Sequence, residues 1–215
     1  MNETHNPLWN QFLVIKNFNQ YPVLSSLLTG YGGQSLFGYT YVDHEEGITL
    51  EILKLFTEND GEFIIDKDLP ADRSRAILRF EHFSEMDFEI AEEYLINALK
   101  AEVPGYIKGY DRNDLISFRN EKAFDKFRAP GFTDDIQILL INNRNTPELI
   151  WGRVEDYNSV EKTGTSKLLV QPHQNFNLNN GDQLRFKWMD INNSLYAVGI
   201  IDHKPVKKWW QFRQK

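Results

Sequence analysis

Five histidines, His5, His44, His82, His173 and His203, are the first residues that could hold a metal or move a proton. No two of them form an HxH or HExxH pair, the spacing that brings two imidazoles to one zinc. His44 stands beside Asp43, Glu45 and Glu46, a nitrogen and oxygen set that could hold a divalent ion. The same run reads as a solvated hairpin tip, which is the commoner role of clustered turn charges. Asp66-Lys67-Asp68 lacks the EF-hand spacing and its bidentate Glu, and reads as a loop. No GxSxG elbow and no SxxK motif is present. The chain has no cysteine, which excludes thiolate zinc sites, iron–sulfur clusters, cysteine nucleophiles and disulfides together. Gly30-Tyr31-Gly32-Gly33-Gln34-Ser35 is glycine-rich but lacks the GK[ST] ending of a phosphate loop. A strand pattern follows it, where phosphate binding needs a helix N-terminus. Two carboxylate groupings, Glu81 and Glu85 around His82 and the pair Asp134-Asp135, could do acid–base work only inside a cleft. No catalytic residue, metal or cofactor is therefore assigned.

Binding residues are easier to nominate. Trp151 and Arg153 are two apart, so on a strand they point the same way. An arginine beside a core-facing tryptophan needs a carboxylate partner or a place at the rim. With Trp188 these two form a candidate ligand set between two parts of the chain. Lys204 to Lys215 holds five basic residues, no acid, and the aromatics Trp209, Trp210 and Phe212. Basic and aromatic residues interleaved in this way suit base stacking, an anionic membrane surface or a protein partner. Alternatively, the tail folds back as a clasp over the acidic first part, because two adjacent tryptophans are costly to leave in water.

The elements that must position these residues divide into two groups. In the first, Leu36 to Val42 and Ile48 to Phe56 read as a hairpin across the turn Asp43 to Gly47. Asn59-Asp60-Gly61 turns into a short strand Glu62 to Ile65, and Arg75 to Phe83 reads as another strand. Trp9 to Phe18 suits either a strand or a buried helix. The strongest helical pattern is Ser84–Ala101. Ser84 and Asp87 resemble a capping box, and Ile90, Ala91, Tyr94, Leu95, Ala98 and Leu99 recur at three-and-four spacing. Val103-Pro104-Gly105 ends it. Glu85, Glu89, Glu92 and Glu93 would form an acidic patch on its other face. A second helix is expected over Glu121 to Arg128, with Phe124 and Phe127 on one side. The second group reads as five short strands: Ile136 to Ile141, Leu149 to Tyr157, Ser166 to Val170, Asp182 to Trp188 and Leu195 to Ile201. The expected fold class is α+β: an antiparallel sheet with one main amphipathic helix, followed by a small antiparallel β-sheet or partly open barrel.

Charge divides along the same line. Residues 1–129 hold 22 acidic and 13 basic side chains, and residues 130–215 hold 9 and 11. The change falls at Ala129-Pro130-Gly131, so two parts are expected, 1–129 and 130–215, able to pack as one unit. A net charge of −7 across 215 residues argues against gripping phosphate backbones and for a basic protein partner. No basic leader and no apolar run near the ~20 residues of a transmembrane helix is present, so the expected setting is the cytoplasm.

Four segments of the second part carry a resemblance: Glu148 to Val154, Leu168 to Pro172, Leu178 with Gly181-Asp182 leading into Gln183 to Phe186, and Trp188 to Ile191. Residues of about 136–191 resemble the YegJ-like family of small bacterial domains of unassigned function. Such domains tend to end in an Asp-Trp pair, whereas Trp188 here precedes Asp190. The resemblance supplies no catalytic residue. The expected function is a bacterial non-catalytic protein-binding module, adaptor or immunity-type. The alternative is an enzyme or small-ligand binder with its site between the two parts.

Overall fold

A computed structural model describes residues 8–69 and 76–201. These divide into two compact units, 8–113 with 129–133 and 114–128 with 134–201.

The first unit is built on one antiparallel sheet. Its strands are β1 (Phe12–Ile15), β2 (Ser35–Asp43), β3 (Gly47–Asn59), β4 (Glu62–Asp68), β5 (Ala76–Arg79) and β6 (Glu89–Ile90). The order is β4-β3-β2-β1-β6, with β5 on the stretch of β3 that β4 leaves open. The expected hairpin is β2–β3, pairing Asp43 with Gly47. Asp43 shapes its tip: Oδ1 accepts from the Glu45 and Glu46 amides at 3.1 and 3.3 Å. Strand alternation sends side chains to both faces. Leu13, Ile15, Leu36, Leu50 and Ile52 enter one core cluster, and Val14, Phe37, Leu53 and Phe56 the other.

The long helix expected over Ser84–Ala101 is not formed. A short helix α2 (Phe80–Phe83) ends just before the stretch, which holds instead the edge strand β6 and a second short helix α3 (Glu93–Ala98). α1 (Pro22–Leu27) precedes β2. The reason is that the apolar residues serve different faces of the sheet. Phe83 and Met86 pack into the cluster of Leu13 and Leu50, whereas Leu95 and Leu99 pack with Val14 and Phe37. β6 carries the chain around the sheet edge from one face to the other, with Ile90 paired to Leu13. One straight helix has only one apolar stripe and cannot do this.

The second unit corrects the remaining expectation of a small sheet or partly open barrel. After the short β7 (Arg128–Ala129) come β8 (Phe132–Leu140), β9 (Glu148–Asn158), β10 (Thr163–Leu168), β11 (Gln183–Ile191) and β12 (Ser194–Ile200). β8 to β12 form an antiparallel meander, and β12 returns to β8 in parallel through Val198 and Leu139, closing a five-stranded barrel. The class is therefore mainly β, not α+β with a main helix.

Inward residues Ile136, Ile138, Ile150, Val154, Leu184 and Phe186 fill the barrel. Glycine at 164 lets the wall approach: a Cβ there would lie 2.5 Å from the Asp156 carbonyl oxygen and from Phe186 Cζ. The segment before β7 plugs the barrel. Leu115, Phe118 of α4 (Ile116–Arg119), Phe124 and Phe127 join its core. Each fully buried phenylalanine contributes roughly 1.5–3 kcal/mol through apolar area removed from water. The helix expected over Glu121 to Arg128, with Phe124 and Phe127 on one side, is present as a 3-10 helix, Lys122–Phe127, with both phenylalanines buried.

Candidate functional site

The barrel separates the three residues nominated as a ligand set. Trp188 points inward, 8% exposed, and stacks on Phe124 with ring centroids 4.0 Å apart. It is a core residue, joined by Phe127 and through Phe124 by Tyr157. Trp151 and Arg153 do share a face, the outer one, because the inward positions of β9 are Ile150, Gly152 and Val154. Trp209, Trp210 and Phe212 lie outside the described residues, and with them the clasp reading of the tail.

The partner that Arg153 requires is Asp135, directly opposite it on β8. The pair is bidentate, Nε to Oδ1 at 2.8 Å and Nη2 to Oδ2 at 3.1 Å. The adjacent Asp134 points into the barrel and takes a different arginine. Arg119 of the plug donates to it from Nε at 2.9 Å and Nη2 at 2.7 Å. Both side chains are almost fully buried, 5% and 2% exposed. Asp134-Asp135 is thus two opposed structural contacts, not an acid–base dyad. A third arginine, Arg128, is buried enough that its pKa falls below the usual guanidinium value, although Asp125 opposes the shift. It donates to the Phe118 carbonyl at 2.7 Å and lies over the Phe118 ring.

The Tyr157 hydroxyl is buried in the barrel and makes no hydrogen bond of good geometry, with Lys162 and Trp188 the polar groups facing it. Burial raises its pKa above the ordinary tyrosine value; Lys162 pulls the other way. Lys162 itself is drawn to Glu121 of the plug, its pKa raised by that hydrogen bond. Among the described residues no three His, Asp or Glu side chains gather as a metal set. His44 remains at the hairpin tip, where Asp43 is engaged with two turn amides and with Arg79. Gly30 and Gly33 take positive φ in the turn before β2, with Gly33 close against Leu55 and Phe56. No helix among the described residues is long and apolar enough to cross a membrane.

The surface with binding character lies in the first unit, where the helix was expected. Between Glu81 and Glu93 the chain carries six carboxylates and no lysine or arginine. Glu81, Glu85, Asp87, Glu89, Glu92 and Glu93 are all exposed. Glu89 pairs with Lys16 at 2.9 Å, and that contact raises the lysine pKa. Glu81 lies 3.7 Å from His82. Among the carboxylates stand two apolar side chains that the helical pattern assigned to the core: Ile90, 46% exposed, and Tyr94, 60% exposed. Ile90 projects from the two-residue edge strand β6, and Tyr94 from the first turn of α3. The Tyr94 ring rests against Phe63 at 6.2 Å, which ties it to the sheet while leaving most of its surface in water. Exposed aromatic and aliphatic side chains are the kind that anchor protein contacts, and the excess of carboxylates beside them in sequence would favour a basic partner.

A second surface lies at the end of the barrel that carries the β8–β9 and β10–β11 connections. The chain between β10 and β11 has no regular structure and runs beside the β8–β9 turn. The sequence marks part of it only as the turn cluster Asn177 to Gly181, because its order comes from side-chain contacts between distant segments. No protein-family model, no curated protein and no solved structure matches the chain.

Proposed function

We propose that this chain is a non-catalytic protein-binding module for a basic partner, of the adaptor or immunity type, working in the cytoplasm. The observation that carries the reading is the exposed stretch 81–94, which holds six carboxylates, with Ile90 and Tyr94 exposed along it. Charge of one sign speeds encounter with an oppositely charged partner and orients it. Ile90 and Tyr94 then each supply apolar area that slows dissociation.

Zero-length carboxylate-to-amine cross-linking in native lysate, read by mass spectrometry, tests this. The expected result is a set of intermolecular links from Glu85, Asp87, Glu92 and Glu93 to lysines of one protein. The set weakens as salt is added and is lost in a folded Tyr94→Ala, Glu92→Lys, Glu93→Lys variant. The Lys16–Glu89 link within the chain is the internal control. Intermolecular links confined to other carboxylates overturn the proposal.

A further inference from the structure

The β10–β11 connection is long for a small barrel. It runs from Leu169 to Asp182, 14 residues without helix or strand. Connections of that length are either disordered or built for a task. This one is held in shape from both sides. Gln171 bridges its own loop, donating to the Leu178 carbonyl at 3.0 Å and accepting from the Asn180 amide at 3.2 Å. Gln174 makes the same two-way bridge to Thr146 on the neighbouring turn, at 2.8 and 3.0 Å. The Glu148 carboxylate at the start of β9 accepts from the His173 and Gln174 amides. Asn145 donates to the Asn175 carbonyl at 2.7 Å. Phe176, 1% exposed, pins the middle of the loop into the barrel core.

The ordered loop borders an open, polar cleft of about 540 Å³, a volume within the roughly 300–1,000 Å³ of ligand sites. Its wall carries His173, Asn175, Asn177 and Asn179, with Pro172 and Leu178 as the apolar contacts. No lysine, arginine, aspartate or glutamate lines it. We propose that this cleft is a binding site for a neutral saccharide. Two carboxylates bonded to the wall, Asp182 and Glu148, are occupied by the loop's own donors, Asn179 and the His173 and Gln174 amides, and no lysine or arginine faces the cleft to hold an anion. A carboxamide donates and accepts at once, which matches the hydroxyl of a sugar, itself a donor and an acceptor; Asn175 Oδ1 accepts from the Asn177 amide and Asn179 Nδ2 donates to Asp182, so these two meet a ligand with their remaining amide donors and acceptors. A peptide main chain fits less well, because strand addition needs a free sheet edge and the loop contains no strand. The wall is shaped before any ligand arrives, so little ordering entropy is lost on binding. The inference concerns the second unit and stands independently of the acidic surface of the first.

The test is a nuclear magnetic resonance titration of the nitrogen-15-labelled full chain. The probes are cellotetraose, maltotetraose and chitotetraose, each taken to about 10 mM, enough to populate a millimolar site. The expected result is a joint shift of the Asn175, Asn177 and Asn179 side-chain amides with the His173 ring, for at least one sugar. Asn177→Gly is the matched variant, since Asn177 already has φ 58° and glycine keeps that backbone. It should weaken binding about 2–10-fold, the loss of one or two hydrogen bonds. No movement with any of the three sugars overturns the proposal. So does movement with acetylated tetra-alanine amide in place of the sugars, or a sugar response that Asn177→Gly leaves unchanged.

Discussion

At the scale of single residues, the buried charges of the barrel are held in specific pairs. Asp134 and Asp135 are neighbours in sequence, yet they point to opposite sides of β8 and meet Arg119 and Arg153 respectively. The requirement for a carboxylate near Arg153 follows from the residue types alone. Its identity does not, because it depends on the β8–β9 register that places Asp135 opposite Arg153. Removing one partner of a buried pair leaves the other charge without compensation. Asp134→Asn should therefore destabilise the second unit by about 3–5 kcal/mol. Replacing both members, Arg119→Met with Asp134→Leu, should restore most of that loss. Urea denaturation of the single and double variants checks it; equal destabilisation of the two would show that the charge pair is not what holds the plug.

At the scale of elements, the five strands of the second unit were legible because turn clusters punctuate them and apolar residues alternate along them. The first unit misled where local periodicity was strongest. Ile90, Tyr94, Leu95 and Leu99 fit a helical stripe, but only Leu95 and Leu99 are buried. Ile90 is used as a strand residue on β1, and Tyr94 faces water. Hydrogen bonding to an existing sheet edge outweighs a modest helical preference, which is worth only tenths of a kcal/mol per residue. The barrel wall has an analogous constraint at Gly164, where Asp156 and Phe186 leave no room for a Cβ. Gly164→Ala should cost about 1–3 kcal/mol through overpacking. Gly105→Ala, which meets no atom within 4 Å, should change stability by less than about 0.5 kcal/mol. The difference between the two in chemical denaturation tests whether close packing of the wall, rather than glycine content, sets barrel stability.

At the scale of the whole molecule, each unit contains a tyrosine whose ionisation folding opposes. Burial raises the pKa of Tyr39 in the first unit and of Tyr157 in the second. Above the ordinary tyrosine value of about 10 the unfolded chain releases these protons while the folded chain retains them. The unfolded state then binds fewer protons, so stability falls as pH rises. Stability from this source is intact below about pH 10 and is lost progressively above it. Melting temperatures measured from about pH 8 to 12 should drop at the alkaline end, and Tyr157→Phe should reduce the drop. An unchanged pH profile in that variant would remove Tyr157 from the account.

Composition and motif spacing by themselves determined which chemistries have no signature here: no cysteine, no paired metal-binding histidines and no nucleophile elbow. They also determined the strand content of the second unit and the concentration of negative charge in the first. These are properties of residue type and short-range order, which the sequence states directly. Only the tertiary structure decided that Trp188 is core while Trp151 and Arg153 are on the barrel's outer face, that the meander closes, and that Ile90 and Tyr94 stand exposed among carboxylates. It alone brought Thr146, Glu148 and Gln174 together to shape the amide-lined cleft. Each of those outcomes depends on register and on contacts between segments far apart in the chain, and neither is encoded in any local window.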